Sequence, residues 1–222
     1  MPFAYYARLS RRQRAIYDKS AGVTEVRLPG AEPLRPVVAA LAEALAREER
    51  AETQLACQRL LDGLTGALGV GPVRVEVLEA RPHAHWGELH GLYTEARGAR
   101  PPKITLWMRT ARQRRVVAFR TFLRTLVHEL CHHLDYELLT LPDSFHTEGF
   151  YRRESSLIRQ LAGGPGRGNA ALALDLVEAA RRAPRPGAPC PSGGAGGAES
   201  GGGESGEEKM PPGALPGMGR GP

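Results

Sequence analysis

A chain of 222 residues with 41% hydrophobic and 24% charged side chains is long enough for one domain of ordinary size plus extensions. No run approaches the ~18 apolar residues needed to span a bilayer, and the first dozen residues lack the apolar core of a secretory leader. Cys57, Cys131 and Cys190 are odd in number and show no pairing pattern, so the expectation is a soluble cytoplasmic protein with no disulfide scaffold.

In chain order, residues 1–33 read as a basic extension in which Ser10 caps a short helix running to about Lys19. Residues 34–69 read as one long helix or two consecutive ones, packed through Leu41, Leu45, Leu55, Leu60, Leu64 and Leu68 and stopped by Gly69. Val73, Val75 and Val77 alternate with Arg74 and Glu76, as a half-buried strand does. A second strand is expected at 104–109, where Ile104, Leu106 and Met108 alternate with Thr105, Trp107 and Arg109. Residues 112–139 contain neither Pro nor Gly, and Val116, Phe119, Leu123, Leu126, Leu130 and Leu134 recur at helical spacing. Another helix follows over 150–161. A Gly-rich linker then leads to a last helix over 169–182, so the domain is drawn at 34–162 and the linker and helix at 163–182. Residues 183–222 are mostly Gly, Pro, Ala, Ser and Glu, too poor in large apolar side chains to order themselves, and read as a disordered tail.

The chemistry is concentrated in His128-Glu129-Leu130-Cys131-His132. An α-helix turns about 100° per residue, so the two imidazoles stand one turn apart and roughly 40° around the axis, where both reach one metal ion. The packing residues of the same helix centre on the opposite side, which leaves the histidines facing a polar cleft. Zn2+ in such a site takes three protein ligands and a water whose pKa it lowers to about 7, and Glu129 is placed to act as general base on that water. His133 points about 100° away from His132 and reads as a core or supporting histidine. Cys131 also diverges and reads as a packing residue.

A third ligand is needed. The metzincin continuation would require Gly and His at positions held by Asp135 and Leu138, which excludes that subclass. His146 follows a loop that returns the chain to the helix, and imidazole suits zinc, so His146 is favoured; Glu154 and Glu148 are the carboxylate alternatives. A carboxylate that is not a ligand can orient one.

With His-Glu-x-x-His followed by His146-Thr147-Glu148-Gly149-Phe150, the chain resembles the SprT-like group of zincin metallopeptidases. The resemblance extends upstream to Glu88-Leu89-His90-Gly91-Leu92-Tyr93-Thr94 and to 103–109, as the hairpin before the active helix, and covers roughly residues 73–161. It implies an α+β, zincin-like fold, mostly helical with a small antiparallel sheet beside the active helix. It also implies zinc on His128, His132 and His146, with Glu129 as general base in peptide hydrolysis. In such proteins the 104–109 strand borders the cleft, where an extended substrate can add as a further strand. Tyr136 and His90 are candidate oxyanion donors.

Two other features carry weaker readings. His83, His85 and His90 match no closed zinc spacing and read as incidental loop histidines. Residues 97–124 carry nine basic side chains and no acidic one, yet 27 of the chain's 30 basic residues are Arg, and no nucleic-acid module accompanies the charge. DNA association is therefore not favoured. The expected partner is a protein or peptide substrate. The alternative is a zinc-containing regulatory or DNA-associated binding protein with little or no turnover.

Overall fold

The computed structural model describes residues 2–84 and 87–163, with only the backbone given for 83, 84, 87 and 88. The expected helix at 169–182, the tail at 183–222, His85 and Cys190 lie outside the described residues. The order is α1 (Arg11–Gly22), α2 (Arg35–Ala46), α3 (Arg50–Leu68), β1 (Arg74–Ala80), β2 (His83–Ala84), β3 (Gly87–Glu88), β4 (Gly91–Thr94), β5 (Lys103–Arg109), α4 (Phe119–Glu137) and α5 (Glu148–Ala162), an α+β arrangement. Among the described residues no helix is long and apolar enough to cross a membrane.

Local chemistry explains several boundaries. Ser10 and Gln13 form a reciprocal capping box at the start of α1, each side chain bonding the other's backbone N–H. Glu48 takes a left-handed φ of 61° between α2 and α3, which divides the 34–69 segment into two helices. Gly69 ends α3 at φ 66°, a conformation glycine adopts without a Cβ penalty. The buried face of α3 is Thr53, Ala56, Cys57, Leu60, Leu61 and Leu64. Leu55 lies off that stripe and is 44% exposed, so it is not a packing residue.

The sheet differs from the expected antiparallel one. Its order is β1-β5-β4, with β5 antiparallel to β4 but parallel to β1, in register Arg74 with Lys103 and Val77 with Leu106. The chain leaves β1, forms the small β2-β3 ladder and β4, and then inserts β5 between its two neighbours. Alternation within one strand cannot reveal such an order. As the middle strand, β5 buries residues 104–108 without a break, including Thr105 and Trp107.

The helix that carries His128 and His132 also starts later than its lack of Pro and Gly suggested. Residues 110–117 fold back on β5, with Thr110 N–H bonding Arg115 C=O and Val117 N–H bonding Met108 C=O at 2.7 Å. Backbone donors engaged in that return cannot serve a helix, so α4 begins at Phe119.

The edges of the sheet are unequal. Glutamines of α3 occupy the outer edge of β1: Gln54 Oε1 accepts from Val77 N–H at 3.0 Å, and Gln58 accepts from Val75 N–H at 2.9 Å while donating to Val73 C=O. β4 is the other edge, and it lies against α4.

The core joins Leu41, Leu60, Leu64, Val77, Ile104, Leu106, Leu123, Leu126, Leu130, Phe150 and Leu157, each nearly inaccessible. Burial of each such side chain stabilises by roughly 1.5–3 kcal/mol. Val26, Leu28 and Ala31 belong to this core as well. The boundary drawn at residue 33 is therefore not a boundary in packing. A second cluster of Leu9, Tyr17 and Phe145, with Phe3, Tyr5 and Tyr6 against it, fastens the N-terminal residues to the loop before α5.

Candidate metal centre

His128 and His132 stand on one face of α4, and the loop after the helix returns His146 to them. His146 Nε2 lies 3.0 Å from His128 Nε2 and 3.0 Å from His132 Nε2. Among the described residues these three form the one group of His, Cys, Asp or Glu side chains able to hold a metal, with ligand atoms within 4.8 Å of one another. Phe150 packs against all three rings at 4.8–5.2 Å between centroids.

The remaining ring nitrogens explain the convergence. Glu154 Oε2 lies 2.9 Å from His128 Nδ1, so Nδ1–H donates to the carboxylate and Nε2 is the nitrogen turned to the other imidazoles. Glu154 is 1% exposed, accepts also from Arg124 Nε, and sits behind His128 on the side away from the other imidazoles. His132 Nδ1 lies 2.7 Å from Ser144 Oγ, whose own proton goes to Asp135 Oδ2 at 2.7 Å. That nitrogen must donate too. Three Nε2 atoms thus converge with Nδ1 of His128 and of His132 engaged behind them, an arrangement able to hold a cation. Ligand nitrogens of a tetrahedral zinc, bonded at about 2.0–2.1 Å, stand roughly 3.3 Å apart, close to the spacing here. The residues fit Zn2+.

The electrostatics favour uncharged ligands. Burial, followed by His128, pulls His146 down to about 4, and burial followed by His146 holds His132 well below its ordinary value. Protons therefore leave these imidazoles free to ligate at neutral pH. Glu129, 6% exposed on the same helix, is pushed up to about 7 by burial, with His128 and the backbone N–H of Tyr93 opposing the shift. A carboxyl poised there can both take and return a proton.

Neighbouring elements explain this placement. A Cβ on Gly91 would stand 2.6 Å from Glu129 Oε1 and 2.6 Å from Thr125 Cγ2, so the bare glycine lets β4 close on α4. Thr147 caps α5 through a bond from Phe150 N–H. Tyr5 Oη donates to His146 C=O at 2.8 Å, and Ser20 Oγ lies 3.1 Å from Thr147 Oγ1. A Cβ on Gly149 would meet Ser20 C=O at 2.4 Å and Ala21 C=O at 2.6 Å, which is why glycine stands three residues after His146.

The other sequence candidates fall elsewhere. Glu148 is largely exposed and pairs with Arg152. His133 is fully buried, its Nε2–H donating to Gly71 C=O at 2.8 Å while Nδ1 faces Tyr93 Oη at 3.1 Å, and Cys131 is a buried free thiol. Tyr136 stacks on Tyr93 and bonds Glu95, and His90 is exposed. Tyr151, which sequence reasoning did not single out, stacks on His146 with centroids 5.9 Å apart. Sequence reasoning also missed Asp135, Ser144 and Arg153 behind His132. An Asp three residues after the second histidine, on its helix, was the available hint.

The chain matches no protein-family model, no curated protein and no solved structure.

Proposed function

We propose that this protein is a zinc-dependent metallohydrolase with a zincin-like site. Within that class we read it as a peptidase of the SprT-like kind. The observation that carries the reading is the convergence of three Nε2 atoms beside a buried carboxyl that titrates near neutrality. His128, His132 and His146 would hold Zn2+, which supplies Lewis acidity toward a peptide carbonyl and acidifies a water. Glu129 takes the proton of the attacking water and returns it to the leaving amine. Glu154 and Ser144 fix the ring orientations from behind.

The substrate we favour is an extended protein or peptide segment. Because α3 glutamines occupy the edge of β1 and β5 lies in the middle, the strand available for such pairing is β4, not the 104–109 strand. The buried, free Cys57 and Cys131 accord with a cytoplasmic setting. A zinc-holding regulatory or DNA-associated binding protein would need no buried acid at position 129.

Metal analysis of the full chain tests the proposal. It should give about one zinc per chain, lost in His128→Ala, His132→Ala and His146→Ala but retained in Glu154→Ala at saturating metal. Glu129→Gln should keep zinc and lose hydrolysis of unfolded protein substrates; full activity in that variant would remove Glu129 as the base.

A further inference from the structure

Arg153 is 1% exposed, whereas most other arginines among the described residues face solvent. Its Nη1 donates to Ser20 C=O at 2.7 Å and Val23 C=O at 2.6 Å, at the end of α1, and its Nη2 donates to Asp135 Oδ1 at 2.6 Å. Asp135 is fully buried, and its second oxygen accepts the Ser144 hydroxyl. A hydroxyl has one proton. With that proton committed to Asp135, Ser144 Oγ shows only lone pairs to His132 Nδ1 at 2.7 Å, and an unprotonated Nδ1 there would set lone pair against lone pair.

We propose that Arg153, Asp135 and Ser144 are positioning residues forming a relay that fixes His132 as the Nδ1–H tautomer and thereby presents its Nε2 lone pair to a metal. The proposal rests on the metal-centre reading above, and extends it to three side chains that touch neither metal nor substrate. The direction of the relay is set at its buried end, where a guanidinium can only donate. Asp135 must accept from it and, as a carboxylate, must accept again from Ser144. His128 Nδ1 is instead held by a direct bond to Glu154. His132 Nδ1 is held through a hydroxyl and the end of α1.

Asp135→Asn reverses the relay with little change in shape. Arg153 still demands an acceptor, so the Asn oxygen turns to it and the amide N–H2 faces Ser144. The serine proton then turns to His132 Nδ1, and the imidazole is driven to the Nε2–H form that cannot ligate. The test is ring 15N chemical shifts of histidine-labelled, metal-free full-length protein, together with zinc affinity by chelator competition. Wild type should show His132 as Nδ1–H. Asp135→Asn should show it as Nε2–H, with zinc bound about 10–100-fold more weakly. His132 remaining Nδ1–H in Asp135→Asn with wild-type zinc affinity would overturn the proposal. Should that variant fail to fold, Ser144→Ala keeps the Arg153–Asp135 pair and carries the test: loss of the single-tautomer signature and weaker zinc support the relay, and no change in either overturns it. The tautomer is read without metal, so a wild type that binds no zinc sinks the metallohydrolase reading while leaving the relay answerable.

Discussion

Gly91 and Glu129 fit together without space for a single added carbon: a Cβ at position 91 would lie 2.6 Å from Oε1 and 2.8 Å from Cγ of the acid. Gly91→Ala must move either β4 or Glu129. The expected cost is about 1–3 kcal/mol of stability from overpacking, and under the proposed function hydrolysis should fall about 100-fold because Glu129 is misplaced. Zinc content should stay at the wild-type level. Thermal melts, metal analysis and turnover on one sample check this.

Glu154→Ala separates support from ligation. It removes the acceptor of His128 Nδ1–H and leaves Arg124 without that carboxylate. Zinc affinity should drop about 10–100-fold, whereas His146→Ala should abolish stoichiometric binding. Competition with a chromophoric chelator distinguishes the two, and equal losses would make Glu154 a ligand.

The pH dependence of the metal-free protein follows from two opposed shifts. His146 is lowered from 6.5 to about 4, so the unfolded chain binds a proton first as pH falls. Its contribution is complete above pH 6.5 and is lost on the way to pH 4, on the order of 3 kcal/mol. Glu129 is raised from 4.5 to about 7, so the unfolded chain ionises first as pH rises. Its contribution is present below pH 4.5 and is lost by pH 7, with similar magnitude. Denaturant melts across pH 4–8 should therefore find metal-free His146→Gln less sensitive to acid than wild type. Glu129→Gln should be more stable than wild type at pH 8 and indistinguishable at pH 4. Saturating zinc should add about 4 kcal/mol to the wild type when present at 1,000 times its Kd.

Gly149→Ala probes the seat of α1. The atoms in the way are the backbone carbonyls of Ser20, Ala21 and Val23, which cannot step aside as a flexible side chain can. We expect several kcal/mol of destabilisation. Limited proteolysis should release residues before Val26 at a protease level that leaves wild type intact.

What the sequence made legible was local. The His128 and His132 spacing, the apolar stripe through Leu123, Leu126, Leu130 and Leu134, and the capping of α1 by Ser10 all depend on residues within a few positions of one another. The return of His146 was readable because one short loop separates it from the helix. The misreadings share a cause. β1 pairs parallel with a strand some thirty residues later, residues 110–117 spend their backbone bonds on β5, and Val26 and Leu28 reach a core whose other members come from distant elements. Nothing near Arg153 in sequence marks its role; its acceptors at Ser20 and Val23 are 133 and 130 residues away.

That separation bears on how the site comes into being. Closing a loop of this length carries an entropy cost that grows only slowly with size, yet it must be met before the contacts at its ends give anything back. During synthesis α4 can form with two imidazoles in place while the support of His132 is still unfinished. Arg153 must first leave the ribosome and find the end of α1, made long before. A metal ion offered to the emerging chain would therefore meet a two-histidine helix first. The support behind His132 is therefore completed only after the helix that carries the ring.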